Sequence, residues 1–217
     1  MSKQLIFDLP VETGFGREDY FVSPANQLAV GSVADWQNWA NGRLVLTGQT
    51  GSGKTHLLSI WAKDLDAEVL SSDEVTLWRP KAFARPIAID GLSQSVDEDA
   101  LFLMLNHLQA QELPVMITAL KDVAFLGLSL PDLISRLDGS SKVTLNAVDD
   151  TLLSAVFLKL MTDRQLVCAP DVAIYALTRV ERSLDTVKKL VDRLDHLSLQ
   201  KKKAVTKHLV GEVLGDL

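Results

Sequence analysis

Lys54 and Thr55 close the run Gly48-Gln49-Thr50-Gly51-Ser52-Gly53-Lys54-Thr55, and these residue types at this spacing suit the binding of a phosphate chain. Gly48, Gly51 and Gly53 let the backbone turn tightly, so that successive N–H groups, those of Thr50 and Ser52 among them, can converge on phosphate oxygens. Lys54 supplies a point charge for the β- and γ-phosphates, and the Thr55 hydroxyl can ligate Mg²⁺. Such a P-loop needs a strand before it and a helix after it. Leu44-Val45-Leu46-Thr47 is apolar and β-branched, and His56-Leu57-Leu58-Ser59-Ile60-Trp61-Ala62 spaces its apolar residues for one helix face. The N-terminus of that helix, where His56 stands, favours anions. Nucleotide binding is therefore expected at Gly48 through His56.

A second acid-bearing stretch, Pro86-Ile87-Ala88-Ile89-Asp90, is a strand that ends on a carboxylate. In a P-loop protein such an Asp reaches the Mg²⁺ shell, which makes Asp90 the expected metal partner of Thr55. Asp90-Gly91 also suits a plain turn. Gly91 stands where many hydrolysing ATPases carry a second acid to polarise water, so hydrolysis within one chain is expected to be slow. Thr118, at the tip of Pro114-Val115-Met116-Ile117-Thr118, can sense the γ-phosphate or water, or serve as an ordinary strand residue.

The elements that must position these groups alternate. Phe21-Val22-Ser23-Pro24-Ala25-Asn26-Gln27-Leu28-Ala29 gives a turn and a helix running to about Trp39, with Asn41-Gly42 as its stop. Further strands are expected at Glu68-Val69-Leu70-Ser71 and Lys142-Val143-Thr144-Leu145. Amphipathic helices are expected from Asp97 to Glu112 and over Leu130 to Asp138, the latter presenting Arg136. This order predicts an α/β core with a parallel five-stranded sheet and helices on both faces. From residue 147 the pattern turns wholly helical: helices open at Asp149-Asp150, Pro170 and Ser183, and a fourth spans Ala204 to Leu214. We thus divide the chain into a leader at 1–20, a core at 21–146 and a helical lid at 147–217.

Composition excludes several alternatives. The 217 residues, 47% hydrophobic, suffice for a sizeable core. A net charge of −6 argues against binding by non-specific attraction to nucleic acid, and the one basic run, Lys201-Lys202-Lys203, suits a solvated turn better than a DNA contact. Cys168 is the single cysteine, set among apolar neighbours as a small core residue. No run approaches the roughly 18 apolar residues of a membrane span, so the expected location is cytoplasmic, with no membrane partner. The leader, Gln4-Leu5-Ile6-Phe7-Asp8-Leu9, suits an edge strand, a tail or an extended peptide whose side chains fill pockets on a partner.

The order of P-loop, Asp-tipped strand, Thr-tipped strand, arginine-bearing segment and helical lid resembles that of the AAA+ ATPases. Phe21 to Ala29 and Gly53-Lys54-Thr55-His56-Leu57-Leu58 are similar to the adenine-covering segment and P-loop helix of the DnaA group, which implies contact of Val22 with the base. Leu130-Pro131-Asp132-Leu133-Ile134-Ser135-Arg136-Leu137-Asp138 resembles the Hda family, short relatives of DnaA that inactivate it. The resemblance spans essentially the whole chain. It implies ADP or ATP with Mg²⁺, DnaA as a partner, and Arg136 as a finger offered in trans. It also implies Arg182 as a lid sensor touching phosphate, and Gln4, Leu5, Phe7 and Leu9 as the plug for the DNA polymerase III sliding clamp. The implied function is control of replication initiation, without the DNA-binding domain of DnaA and so without direct sequence-specific DNA binding. A homodimer is compatible with it. Gly91 and Ala119 depart from the polar or acidic residues usual in DnaA, which puts this chain's own ATPase cycle in question more than its nucleotide binding. The alternative is a self-sufficient AAA+ ATPase, or a motor like the helicase loaders.

Overall fold

Strands buried on both faces read as continuous apolar runs, and β1 (Arg43–Gly48) is buried at every position. With β2 (Glu68–Ser71), β3 (Ile87–Leu92), β4 (Val115–Ala119) and β5 (Ser141–Leu145) it forms one parallel sheet in the order β2-β3-β4-β1-β5. The computed structural model describes residues 20–76, 84–201 and 203–215. Gln4, Leu5, Phe7 and Leu9 of the leader lie outside them.

Alternation along the strands divides the core into two layers. Leu44, Leu46, Ala88 and Met116 point to one face, where they pack on Ala29 and Val33 of α1 (Gln27–Ala34) and on Leu57, Leu58 and Trp61 of α2 (Lys54–Asp64). Val45, Ile87, Ile89, Val115 and Ile117 point to the other. They meet Leu101, Leu105 and Leu108 of α3 (Glu98–Ala110) and Leu133 and Leu137 of α4 (Pro131–Asp138).

Two boundaries in the core differ from expectation. The first helix stops at Ala34, well before Trp39, because the Trp39 indole turns back to donate to the Ser32 carbonyl (2.7 Å) and stacks on Trp61. Two single helical turns follow, and Asn41 takes a left-handed conformation (φ 54°) before β1 begins. The second difference is in β3, which does not end at Asp90 but continues to Leu92. Between Ile89 and Leu92 it advances three residues while β4 advances two, from Ile117 to Ala119. This is a bulge, with Gly91 at φ +76°.

The helical lobe has its own core. Asp149 accepts from the Leu152 N–H (2.7 Å) and caps α5 (Asp150–Asp163), which is followed by α6 (Pro170–Leu177), α7 (Leu184–Lys201) and α8 (Lys207–Gly215). The last begins later than Ala204, at the point where the Thr206 hydroxyl accepts from the Leu209 N–H. Phe157, Leu190, Val191 and Leu194 are fully enclosed at its centre. Cys168 packs against this cluster as a half-buried thiol, and burial pushes its pKa up. Because Phe157 is the largest side chain enclosed there, Phe157→Ala should cost about 3–5 kcal/mol. Urea unfolding followed by circular dichroism measures the loss, and a change below about 1 kcal/mol would mean that the lobe packs differently.

Candidate functional site

At the C-terminal end of β1 the chain turns through residues 49–53 and enters α2 at Lys54. The buried Lys54 ammonium donates to the carbonyls of Gly48 and Gln49, both at 2.8 Å. Burial pulls its pKa below the ordinary lysine range, while the carboxylates of Asp90 and Asp185 oppose that shift. Ser52 is buried beside it, and its hydroxyl has no hydrogen-bond partner. Gly51 has φ +70°, and a Cβ there would stand 1.9 Å from the Ser183 hydroxyl. These features fit a phosphate chain. The Ser52 hydroxyl has unused hydrogen-bonding capacity, and Lys54 can exchange neutral carbonyls for charged phosphate oxygens, which are the stronger acceptors.

Asp90 is held from both sides. Thr55 donates to its Oδ2 (2.9 Å), and Thr118, fully buried, donates to its Oδ1 (2.6 Å). The Thr118 oxygen in turn accepts from the Gly91 N–H (2.8 Å), so the bulge of β3 locks the carboxylate toward α2. A carboxylate beside a threonine hydroxyl is a hard oxygen pair that suits Mg²⁺ shared with phosphate, a charge that would neutralise the phosphate oxygens. The open space around Gly91 would admit a side chain, but its left-handed backbone (φ +76°) would strain any residue other than glycine there.

The lid closes the other side. The Leu184 N–H donates to the Gly51 carbonyl (3.0 Å), which ties the start of α7 to the loop. Arg182, two residues before, pairs with Asp150 at 3.0 Å, and both side chains are largely exposed. Tyr20 stands edge-on to His56, with ring centroids 5.2 Å apart, and burial pushes its hydroxyl up to about 12. It shares with Trp36, the buried Trp61 and the exposed Val22 the wall of an apolar cavity of about 490 Å³ along α2. Thr50 lies exposed on the loop.

The structure thus gathers Gly48 through His56 with Asp90 and Thr118, sets Arg182 at their edge, and keeps Arg136 apart. Arg136, in the last turn of α4, donates to Gln109 Oε1 (2.8 Å), which also accepts from Arg43 at the start of β1 (3.1 Å). The P-loop begins at the other end of that strand, about 17 Å away at about 3.3 Å per residue. An arginine side chain does not span that gap. Tyr20, Ser183, Leu184, Asp185, Arg43 and Gln109 were not foreseen; only Ser183 carried a signal, as a helix opener.

The Thr118 hydroxyl both donates to Asp90 and satisfies the Gly91 N–H, so Thr118→Val should cost about 1–3 kcal/mol with nucleotide and metal removed. Urea denaturation in chelator reads this, and an unchanged midpoint would show that Asp90 is held by other means.

Residues 153–214 match the family model "Hda, lid domain". An uncharacterized protein of Haemophilus influenzae is 27% identical over 182 residues, covering 77% of this chain and 79% of that protein. Among solved structures, domain III of the replication initiation protein DnaA from Thermotoga maritima superposes with a TM-score of 0.83 at 18% identity, covering 96% of this chain and 98% of that one. AMPPCP-bound DnaA from Aquifex aeolicus gives 0.67 at 19% identity, with coverages of 85% and 67%. The Holliday junction branch migration motor RuvB of Thermotoga maritima gives 0.67 at 18%, with coverages of 88% and 69%. The chain thus has the fold of DnaA domain III, and its residues 153–214 are similar to the lid of the Hda family.

Proposed function

We propose that this chain is a regulator of chromosome replication initiation. It holds ADP or ATP at its own P-loop, docks on the DNA polymerase III sliding clamp, and makes ATP-bound DnaA hydrolyse its nucleotide, which prevents over-initiation. The observation that carries this reading is the separation of Arg136 from the chain's own P-loop by the length of β1. Arg136 can meet a γ-phosphate only on another subunit.

The geometry supports a role for each residue. Lys54 and the loop amides bind the phosphates, Ser52 adds a hydroxyl, and Thr55 with Asp90 would hold Mg²⁺, Asp90 being oriented by Thr118. Val22 and His56 border the base and phosphate ends, and Arg182 can exchange exposed Asp150 for phosphate. The left-handed Gly91 leaves no acid to polarise water beside Asp90, which supports slow turnover in cis rather than a self-sufficient motor. In phosphoryl transfer, charge spreads over the γ-oxygens in the transition state, and a guanidinium entering from a partner stabilises it. Lysine lacks that planar fork of donors.

Arg136→Ala should therefore keep nucleotide binding but lower stimulation of DnaA ATPase, in the presence of clamp on DNA, by about 10³ to 10⁵ where the finger limits the rate. Stimulation equal to that of the unaltered chain would refute the shared site.

The leader role is read separately. On this reading, replacing Gln4 and Leu5 together by Ala should abolish capture by immobilised clamp and leave the melting temperature within about 1 °C. Retained capture with a large fall in melting temperature would make the segment structural instead.

A further inference from the structure

Arg43 was no part of the site expected from sequence, yet its surroundings are unusual. It is 3% exposed at the first position of β1, where a cation is costly to bury. Its Nε donates to Ser140 Oγ (3.3 Å) and its Nη1 to Gln109 Oε1 (3.1 Å). The same Gln109 oxygen accepts from Arg136 Nη1 at 2.8 Å, so two guanidinium groups converge on one neutral acceptor. Among the described residues neither arginine makes an ion pair, although Asp132 stands in the wall of the same pocket. Arg136 is further fixed over the Phe102 ring, 5.2 Å from its centroid, and its Nε is buried without a partner. Between these groups lies a solvent-open pocket of about 460 Å³ walled by Arg43, Arg136, Gln109 and Ser135. Burial, and then the charge of Arg136, pull the Arg43 pKa down from the ordinary arginine range, which is the signature of a cation lacking its counter-charge.

We propose that Arg43 and Arg136 form a two-arginine receptor for a phosphate group, with Gln109 holding the two forks side by side at the start of β1. Resting on the trans reading above, the phosphate is the terminal one of the ATP held by DnaA, and Arg43 is the second cation that meets it beside Arg136. Gln109 is the informative member. A neutral amide oxygen orients both guanidiniums without neutralising them, whereas a carboxylate in its place would form two charge-assisted bonds and occupy the receptor from within.

The test is a titration of the full chain, its P-loop saturated with MgADP, with inorganic phosphate, following the arginine Nε–Hε resonances of Arg43 and Arg136 by NMR. Both should shift together with one dissociation constant. Gln109→Glu should weaken phosphate binding by about tenfold or more, hold or raise the melting temperature, and lower stimulation of DnaA. A merely structural Gln109 would not separate stability from function in this way. Resonances that ignore phosphate, or a Gln109→Glu chain that binds it as well as the parent, would overturn the receptor. The two ideas fail separately. If phosphate shifts both arginines while Arg136→Ala leaves DnaA stimulation whole, the receptor stands and the trans reading falls. If Arg136→Ala abolishes stimulation while phosphate moves neither resonance, the trans reading stands and the receptor falls.

Discussion

Six buried residues of β1, hydrogen-bonded to β4 on one side and β5 on the other, set the distances on which the rest of the molecule depends. A strand paired on both edges and covered on both faces cannot shorten or tilt without breaking ladder bonds and core contacts together. One end delivers the chain into the P-loop, and the other carries Arg43, whose partner Gln109 also receives Arg136. Lys54 and the paired arginines are therefore fixed at opposite ends of one rigid rod. Whatever Arg136 acts on, it is not the nucleotide of its own P-loop.

Around the P-loop the protein's hydrogen bonds hold groups ready for exchange. Lys54 is folded onto two carbonyls of its own loop, and Asp90 is spanned by Thr55 and Thr118. The bonds of Lys54 and Thr118 satisfy buried polar groups that would otherwise be costly. Phosphate would displace the first set with stronger, charged acceptors, and a cation would compete with Thr55 for Asp90. The bond from Leu184 to the Gly51 carbonyl makes the lid part of the same arrangement, since any shift of the loop pulls on the N-terminus of α7. The lobe behind it has a separate core, so it can follow as a body.

Short apolar runs between polar or turn-forming residues made the sheet legible. Glu68 to Ser71 was bounded correctly because the apolar pair Val69-Leu70 stands between polar residues. The first helix was overextended because periodicity continues through Trp36 and Trp39, whereas the indole bond to Ser32 that ends the helix is tertiary. Asp90-Gly91 carried an ambiguous signal: a positive φ serves a turn or a bulge equally, and only pairing with β4 decides between them. The grouping of the loop at 48–55 with Asp90 and Thr118 was legible from residue type and spacing. Arg43 did not, because one arginine at the start of a strand reads as a solvated end, and its burial depends on Gln109 and Ser140, far away in sequence.

The unpaired state of those arginines bears on selectivity. A site built from charged donors rejects a ligand lacking the matching acceptor far more strongly than an apolar pocket rejects a missing methylene, because its own groups are left unsatisfied. Arg43 and Arg136 already share one neutral acceptor, so an approaching partner with no terminal phosphate would dehydrate the partly exposed Arg136 and return nothing. On the proposed trans arrangement, ADP-bound DnaA is thus disfavoured by desolvation rather than by a clash. The pair then needs no moving part to distinguish the two nucleotide states: the γ-phosphate is itself the missing counter-charge, and once it is hydrolysed and released the same unpaired cations favour separation of the subunits.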